Sequence, residues 1–441
     1  MLRKKWIWIA AIGLVTAAAA YAQGEHAEHA SAETMVLPVL TALAVILVAA
    51  KLGADIFARI GQPPVLGELV VGVVLGNLTL VGLNNFNYIV ENQIIEILAE
   101  IGVILLLFQV GLESKVDEML SVGLSSLLVA TIGVVAPFTL GWGIALIFLP
   151  DASIYVHMFI GATLCATSVG ITARVFKDLG KVHLKEAKIV LGAAVIDDVQ
   201  GLIILAVVSG IIVAANSGLE LSALGISMIL IKAVVFLVGS IILGQFLAPR
   251  VFGIASALRA RGILLAVSLA FCFLMSWIAG RIELAPIVGA FTAGLLLEEV
   301  HYKDLLRQGE AKLNDLIEPI AAFLVPVFFV HMGMKVHLTS FANVKVLGFA
   351  AALTAVAIIG KQFCSFGVIG RGIDRLTVGL GMIPRGEVGL IFAGIGTTMV
   401  INKLPVVSPD TYSAIVVMVI VTTLITPPLL RWSLGRISDE G

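Results

Sequence analysis

The chain has 441 residues, of which 59% are hydrophobic and only 13% charged, with a mean hydropathy of +1.09. A soluble domain carries about a quarter charged residues, so this composition excludes one and points to repeated apolar helical membrane spans. The net charge of −1 comes with no basic tail or patch, which argues against nucleic acid as a partner, and the three cysteines (Cys165, Cys272, Cys364) lie inside apolar runs with neither disulfide nor metal-ligand spacing.

Arg3, Lys4 and Lys5 precede an apolar stretch that ends in Ala20-Tyr21-Ala22, the pattern of a signal peptide over residues 1–22. An uncleaved first helix is the alternative. Residues 23–34, with His26 and His29, read as a short exterior lead-in. Thirteen apolar runs follow, at about 35–59, 64–83, 93–113, 119–149, 157–176, 187–213, 222–248, 260–280, 284–300, 317–336, 342–367, 374–398 and 408–430. Residues 301–314 form a charged connector, and 432–441 a cytoplasmic tail with no soluble module expected after it. With the N-terminus outside and the C-terminus in the cytoplasm, seventeen lysines and arginines fall on cytoplasmic segments. The exterior segments hold four, Arg281, Lys335, Lys345 and Lys403, so the positive-inside rule supports this orientation.

Four bases lie within spans. Lys51 has Asp55 four residues on, which predicts a helical ion pair. Lys232 is expected to snorkel towards the exterior interface. The other two, Lys361 and Arg385, bear on function.

The fifth and twelfth runs carry helix-weakening residues at similar places. The fifth reads FIGATLCATSVGITARVF, with Thr163, Thr167, Ser168, Gly170 and Thr172. The twelfth reads LTVGLGMIPRGEVGLIFAGIG, with Pro384, Arg385, Gly386, Glu387 and Gly389. Interrupted helices facing opposite ways are what an inverted repeat produces. Where half-helices meet, unsatisfied amide and carbonyl groups point into the bilayer. Thr167 and Ser168 suit the fifth helix, and Arg385 with Glu387 could neutralise the ends of the twelfth.

The sixth run holds two adjacent acids, Asp197 and Asp198, in an otherwise lipid-grade stretch, and the eleventh holds Lys361. A charge at bilayer depth costs about 2.5–3.5 kcal/mol on insertion scales. A static buried pair with Lys361 is the bland reading, but one base cannot neutralise two acids, and the remaining carboxylate is then available for a cation or a proton. Adjacent buried carboxylates also titrate as a coupled unit. Competition of H⁺ and a hard cation such as Na⁺ for one site, exposed alternately to the two sides, suffices for exchange without ATP or any cofactor.

Four stretches, GQPPVLGELVVGVVLGN (61–77), ATSVGITARVFKDLG (166–180), GAAVIDDVQGLIILA (192–206) and GMIPRGEVGLIFAGIG (381–396), make the chain resemble the cation:proton antiporter 2 family, specifically its NapA-type Na⁺/H⁺ antiporters, over roughly residues 35–431. The resemblance implies an all-α polytopic membrane protein of about 13 transmembrane helices, with an inverted-repeat antiporter fold and two discontinuous crossing helices. It also implies a homodimer in the cytoplasmic membrane of a bacterium, with core helices at about 119–213 and 342–430 that move elevator-fashion. Dimerisation and linker helices then lie at about 35–113 and 222–336. By the family motif Asp198 is the carboxylate for the transported Na⁺, Asp197 pairs with Lys361, and Thr167 and Ser168 match the unwound region. A double-Asp site with a lysine looks like the electrogenic subgroup.

Membrane lipid, monovalent cations and protons are therefore the expected partners, and Li⁺ is a candidate second cargo. The same architecture serves K⁺/H⁺ antiporters, which stays as the alternative. A sodium-coupled solute symporter and a non-transporting sensor are the alternatives from other classes. A channel would show a filter segment, which is absent. An enzyme is not expected, since His157, His183, His301, His331 and His337 have no HExxH or triad-like spacing. Gln200 lies about 200° round the helix from Asp198 and has no expected role.

Overall fold

A computed structural model describes residues 32–83, 86–113, 123–181, 183–216, 249–255, 262–282, 284–297, 311–370, 372–401 and 403–436, with a few single positions between 231 and 246. The expected signal peptide, nearly all of the lead-in, most of the seventh run with Lys232, and most of the 301–314 connector lie outside these residues.

The described chain is almost wholly helical. The main helices are α1 (Ala32–Arg59), α2 (Pro64–Gly76), α3 (Gln93–Glu113), α4 (Leu124–Phe148), α5 (Ile154–Thr163), α6 (Val169–Asp178) and α7 (Lys185–Asn216). They continue with α8 (Ile263–Arg281), α9 (Pro286–Leu296), α10 (Leu313–Met334), α11 (Val344–Gln362), α12 (Arg375–Gly381), α13 (Glu387–Thr398) and α14 (Pro409–Leu434). A two-stranded hairpin, β1 (Val400–Ile401) with β2 (Leu404–Pro405), joins the last two. Local chemistry sets several of the starts. Asp374 accepts from the Leu376 amide ahead of α12, Asn343 from Lys345 ahead of α11, and Ser408 from Thr411 ahead of α14. Proline occupies the first turn of α2, α9 and α14, where its missing N–H costs nothing.

Among the described residues, 8 helices are long and apolar enough to cross a membrane. Four further apolar runs hold shorter helices, at Pro64–Leu80, Ile154–Thr163, Pro286–Leu296 and Val388–Thr398. Two of these are shorter than their hydropathy suggests because α2 gives way to a 3₁₀ turn at Leu78–Val81 and α9 starts only at Pro286. The other two are the expected interrupted helices.

The chain divides into two units, residues 1–106 with 318–339, and residues 107–317 with 340–441. In the first unit α1 and α2 pack backbone to backbone. A Cβ on Gly67 would collide with the Gly53 carbonyl, and one on Gly53 with that of Gly67. Gly72 and Gly333 do the same for α2 against α10. This proximity changes the expected Lys51–Asp55 pair. Asp55 instead takes Arg59 at 2.7 Å, one turn on, while Lys51 faces the buried Glu68 of α2 at 3.9 Å.

In the second unit α4 packs along α5, α7 and α11, and α11 along α14. Phe176 of α6, Val190 and Ala193 of α7, Met382 and Ile383 after α12, and Leu430 of α14 share one apolar cluster. Both interrupted helices, and every expected ion-site residue, belong to this unit.

Candidate ion site

α5 stops at Thr163 and the chain resumes as α6 at Val169. α12 stops at Gly381 and resumes as α13 at Glu387. Each break leaves carbonyls with no intrahelical partner. The two breaks satisfy one another. The Ser168 amide donates to Pro384 O at 2.8 Å, and Thr172 Oγ1 to Gly381 O at 2.7 Å. Thr167 Oγ1 makes a long contact of 3.4 Å with Met382 O. Thr423 of α14 donates to Arg385 O. Gly386 lies so close to Ser168 that a Cβ there would come within 2.6 Å of the Ser168 Cβ.

The end of α5 is served by cations. Lys361, one residue before the end of α11, donates to Cys165 O at 2.7 Å. Arg385 Nη1 donates to the next carbonyl, Ala166 O, at 2.6 Å. Positive charge at a helix C-terminus is the arrangement that the helix dipole favours. Arg385 thus serves the other interrupted helix rather than its own. Glu387 opens α13, and its side chain lies outside the described residues.

α7 runs unbroken through this region for 32 residues and carries both acids. Asp197 and Lys361 are each 0% exposed and pair at 2.9 Å through Asp197 Oδ1. Asp197 Oδ2 is buried with no hydrogen-bond partner among the described residues. Asp198 is 9% exposed. Thr167, Ser168 and Arg385 are buried as well. Gln200 turns away and donates to Thr131 of α4 at 3.0 Å.

The cluster therefore brings Asp197, Asp198, Lys361, Thr167, Ser168 and Arg385 into one unit, with direct contacts linking Lys361 to Asp197 and the two breaks to each other. Its charge count differs from the sequence expectation of one base against two acids. Arg385, a buried cation folded back onto α5 by the break at 382–386, adds a second buried base to Lys361 beside Asp197 and Asp198 among the described residues. Sequence reasoning does not reach the carbonyls of Cys165 and Ala166, since a backbone acceptor has no side-chain signature. Thr172 and Thr423 carry only the weak signal of a hydroxyl in an apolar run.

A bundle of apolar helices in which two interrupted helices meet beside buried charges is the architecture of secondary transporters. The sequence profile of the transmembrane sodium/hydrogen exchangers matches residues 41–434. The chain is 39% identical over 427 residues to the high-affinity Na⁺/H⁺ antiporter NhaS3 of Synechocystis sp., with 89% of each chain covered. It is 36% identical over 398 residues to the Na⁺/H⁺-K⁺ antiporter GerN of Bacillus cereus, covering 89% of this chain and 95% of GerN. Its fold is similar to that of the sodium proton antiporter MjNhaP1 from Methanocaldococcus jannaschii, with a TM-score of 0.66 over 90% of this chain and 97% of the other, at 17% identity. The chain belongs to the sodium/hydrogen exchanger family, and is a multi-pass membrane protein of that family.

Proposed function

We propose that this protein exchanges Na⁺ for H⁺ across the cytoplasmic membrane of a bacterium by alternating access. The observation that carries this reading is the pair of adjacent buried carboxylates beside two broken helices, with Lys361 engaged on Asp197. Asp198 is the carboxylate for the cargo. Na⁺ is a hard ion that takes oxygen ligands, and the hydroxyls of Thr167 and Ser168, unwound carbonyls and water are the donors at hand. A proton bound at Asp198 excludes the cation, and a bound cation excludes the proton, so one site shown to each side in turn couples the two fluxes. That the relatives NhaS3 and GerN are Na⁺/H⁺ and Na⁺/H⁺-K⁺ antiporters supports the same cargo.

The finer parts of the reading rest on the family resemblance. Helices at about 119–213 and 342–430 form the moving core, and those at about 35–113 and 222–336 the dimerisation and linker part of a homodimer. The N-terminus is outside and the C-terminus cytoplasmic, and exchange is electrogenic. K⁺ is the second reading for the cargo, supported by GerN, a Na⁺/H⁺-K⁺ antiporter, and more distantly by the K⁺/H⁺ antiporter subunit KhtU of Bacillus subtilis, 25% identical over 336 residues.

The test uses purified protein in liposomes with an imposed proton gradient and an interior pH dye. Addition of Na⁺ or Li⁺ is expected to evoke proton movement that Asp198→Asn abolishes, with K⁺ weaker. A response to K⁺ alone establishes the second reading. No response to any cation overturns antiport.

A further inference from the structure

Lys361 divides its ammonium between Asp197 Oδ1 and Cys165 O, which leaves Asp197 Oδ2 buried and without a hydrogen bond among the described residues. Arg385 presents the complementary vacancies. Its Nη1 is spent on Ala166 O, while Nε and Nη2 are buried with no hydrogen-bond partner among the described residues. Lys361 and Arg385 hold successive carbonyls of the same helix break, Cys165 O and Ala166 O, and from there Lys361 reaches Asp197. A buried guanidinium with two idle donors is costly unless an acceptor is within reach, and Asp197 Oδ2 is a charged acceptor left idle among the described residues.

We propose that Arg385 is a second counter-charge for Asp197, a positioning residue that holds this carboxylate through Oδ2, directly or by one water, when Lys361 lets go. The inference rests on the antiport reading for its purpose. Two resident cations let Asp197 stay charged and in place while Lys361 is released, so that Lys361 can change partner during the cycle without leaving a bare buried carboxylate. The groups around Asp197 fit this assignment. Lys361 comes from α11 and Arg385 from the break before α13, Asp198 is its neighbour on α7, and Cys165 and Cys364 supply buried thiols.

The test reads the protonation of Asp197 directly and does not depend on transport, so a failed exchange assay leaves it interpretable. Infrared spectra of the full-length protein in liposomes at neutral pH are compared for each variant with and without Asp197→Asn, all in an Asp198→Asn background. The difference isolates the protonated-carboxyl band of Asp197. The band is expected to be absent in Lys361→Gln and in Arg385→Gln, and to emerge in the double variant. A full band in Lys361→Gln alone overturns the proposal, as does its absence from the double variant. Should the double variant not fold, Lys361→Gln still decides, since Arg385 must then keep the band away unaided.

Discussion

Gly386→Ala tests the close approach of the two helix breaks. A Cβ at this position would sit 2.5 Å from Ser168 Oγ and 2.6 Å from Ser168 Cβ. A new rotamer relieves the first contact but not the second, because Cβ moves only with the backbone. Carbon atoms pack best at about 3.5–4.0 Å, so the two segments must part by roughly 1 Å. The Ser168 amide bond to Pro384 O, now 2.8 Å, would stretch to about 3.8 Å, beyond hydrogen-bond range. Overpacking strain of about 1–3 kcal/mol and an unsatisfied buried pair of similar size give a loss of roughly 2–6 kcal/mol. Thermal unfolding of the purified protein should show a clear fall in midpoint, and proteoliposome exchange should fall with it. Gly143→Ala is the control, since a Cβ there meets nothing within 4 Å. Wild-type unfolding and exchange in Gly386→Ala would refute the crossing geometry.

Three further substitutions probe other parts of the structure. Thr172→Val keeps the side-chain shape but removes the donor to Gly381 O, and should cost about 1–3 kcal/mol in the same unfolding assay. Gln200→Leu removes only the bond to Thr131. It should cost about 0.5–1.5 kcal/mol and leave the Na⁺ response in proteoliposomes unchanged. Gly67→Ala drives a Cβ into the Gly53 carbonyl, backbone against backbone. It should destabilise the protein by about 1–3 kcal/mol, measured by thermal unfolding, with the Asp197–Lys361 pair untouched.

The apolar runs, the interruptions and the charged residues are legible in the sequence because each is a local contrast. Asp197, Asp198 and Lys361 stand out as charges in lipid-grade stretches, and Pro384 and Gly386 mark a break. Helix length within a run is less legible. Hydropathy averages over the turn at Leu78–Val81 and over the start of α9 without registering either. Long-range pairing is least legible. The spacing of Lys51 and Asp55 satisfies a helical rule, but Arg59 obeys the same rule for Asp55, and only the close approach of α1 and α2 brings Glu68 to Lys51. Arg385 likewise reads as a charge for its own broken helix. It donates instead to Ala166, more than two hundred residues away, because the two breaks cross. That crossing also alters the charge count, from one buried base to two.

The most direct measurement of the proposed function is uptake of radiolabelled sodium into proteoliposomes driven by an outward proton gradient, in wild type and in Asp198→Asn. Uptake should follow the gradient in wild type, collapse when the gradient is dissipated, and be absent in the variant. Gradient-driven uptake that survives in Asp198→Asn would contradict the assignment of this carboxylate as the shared site for cation and proton.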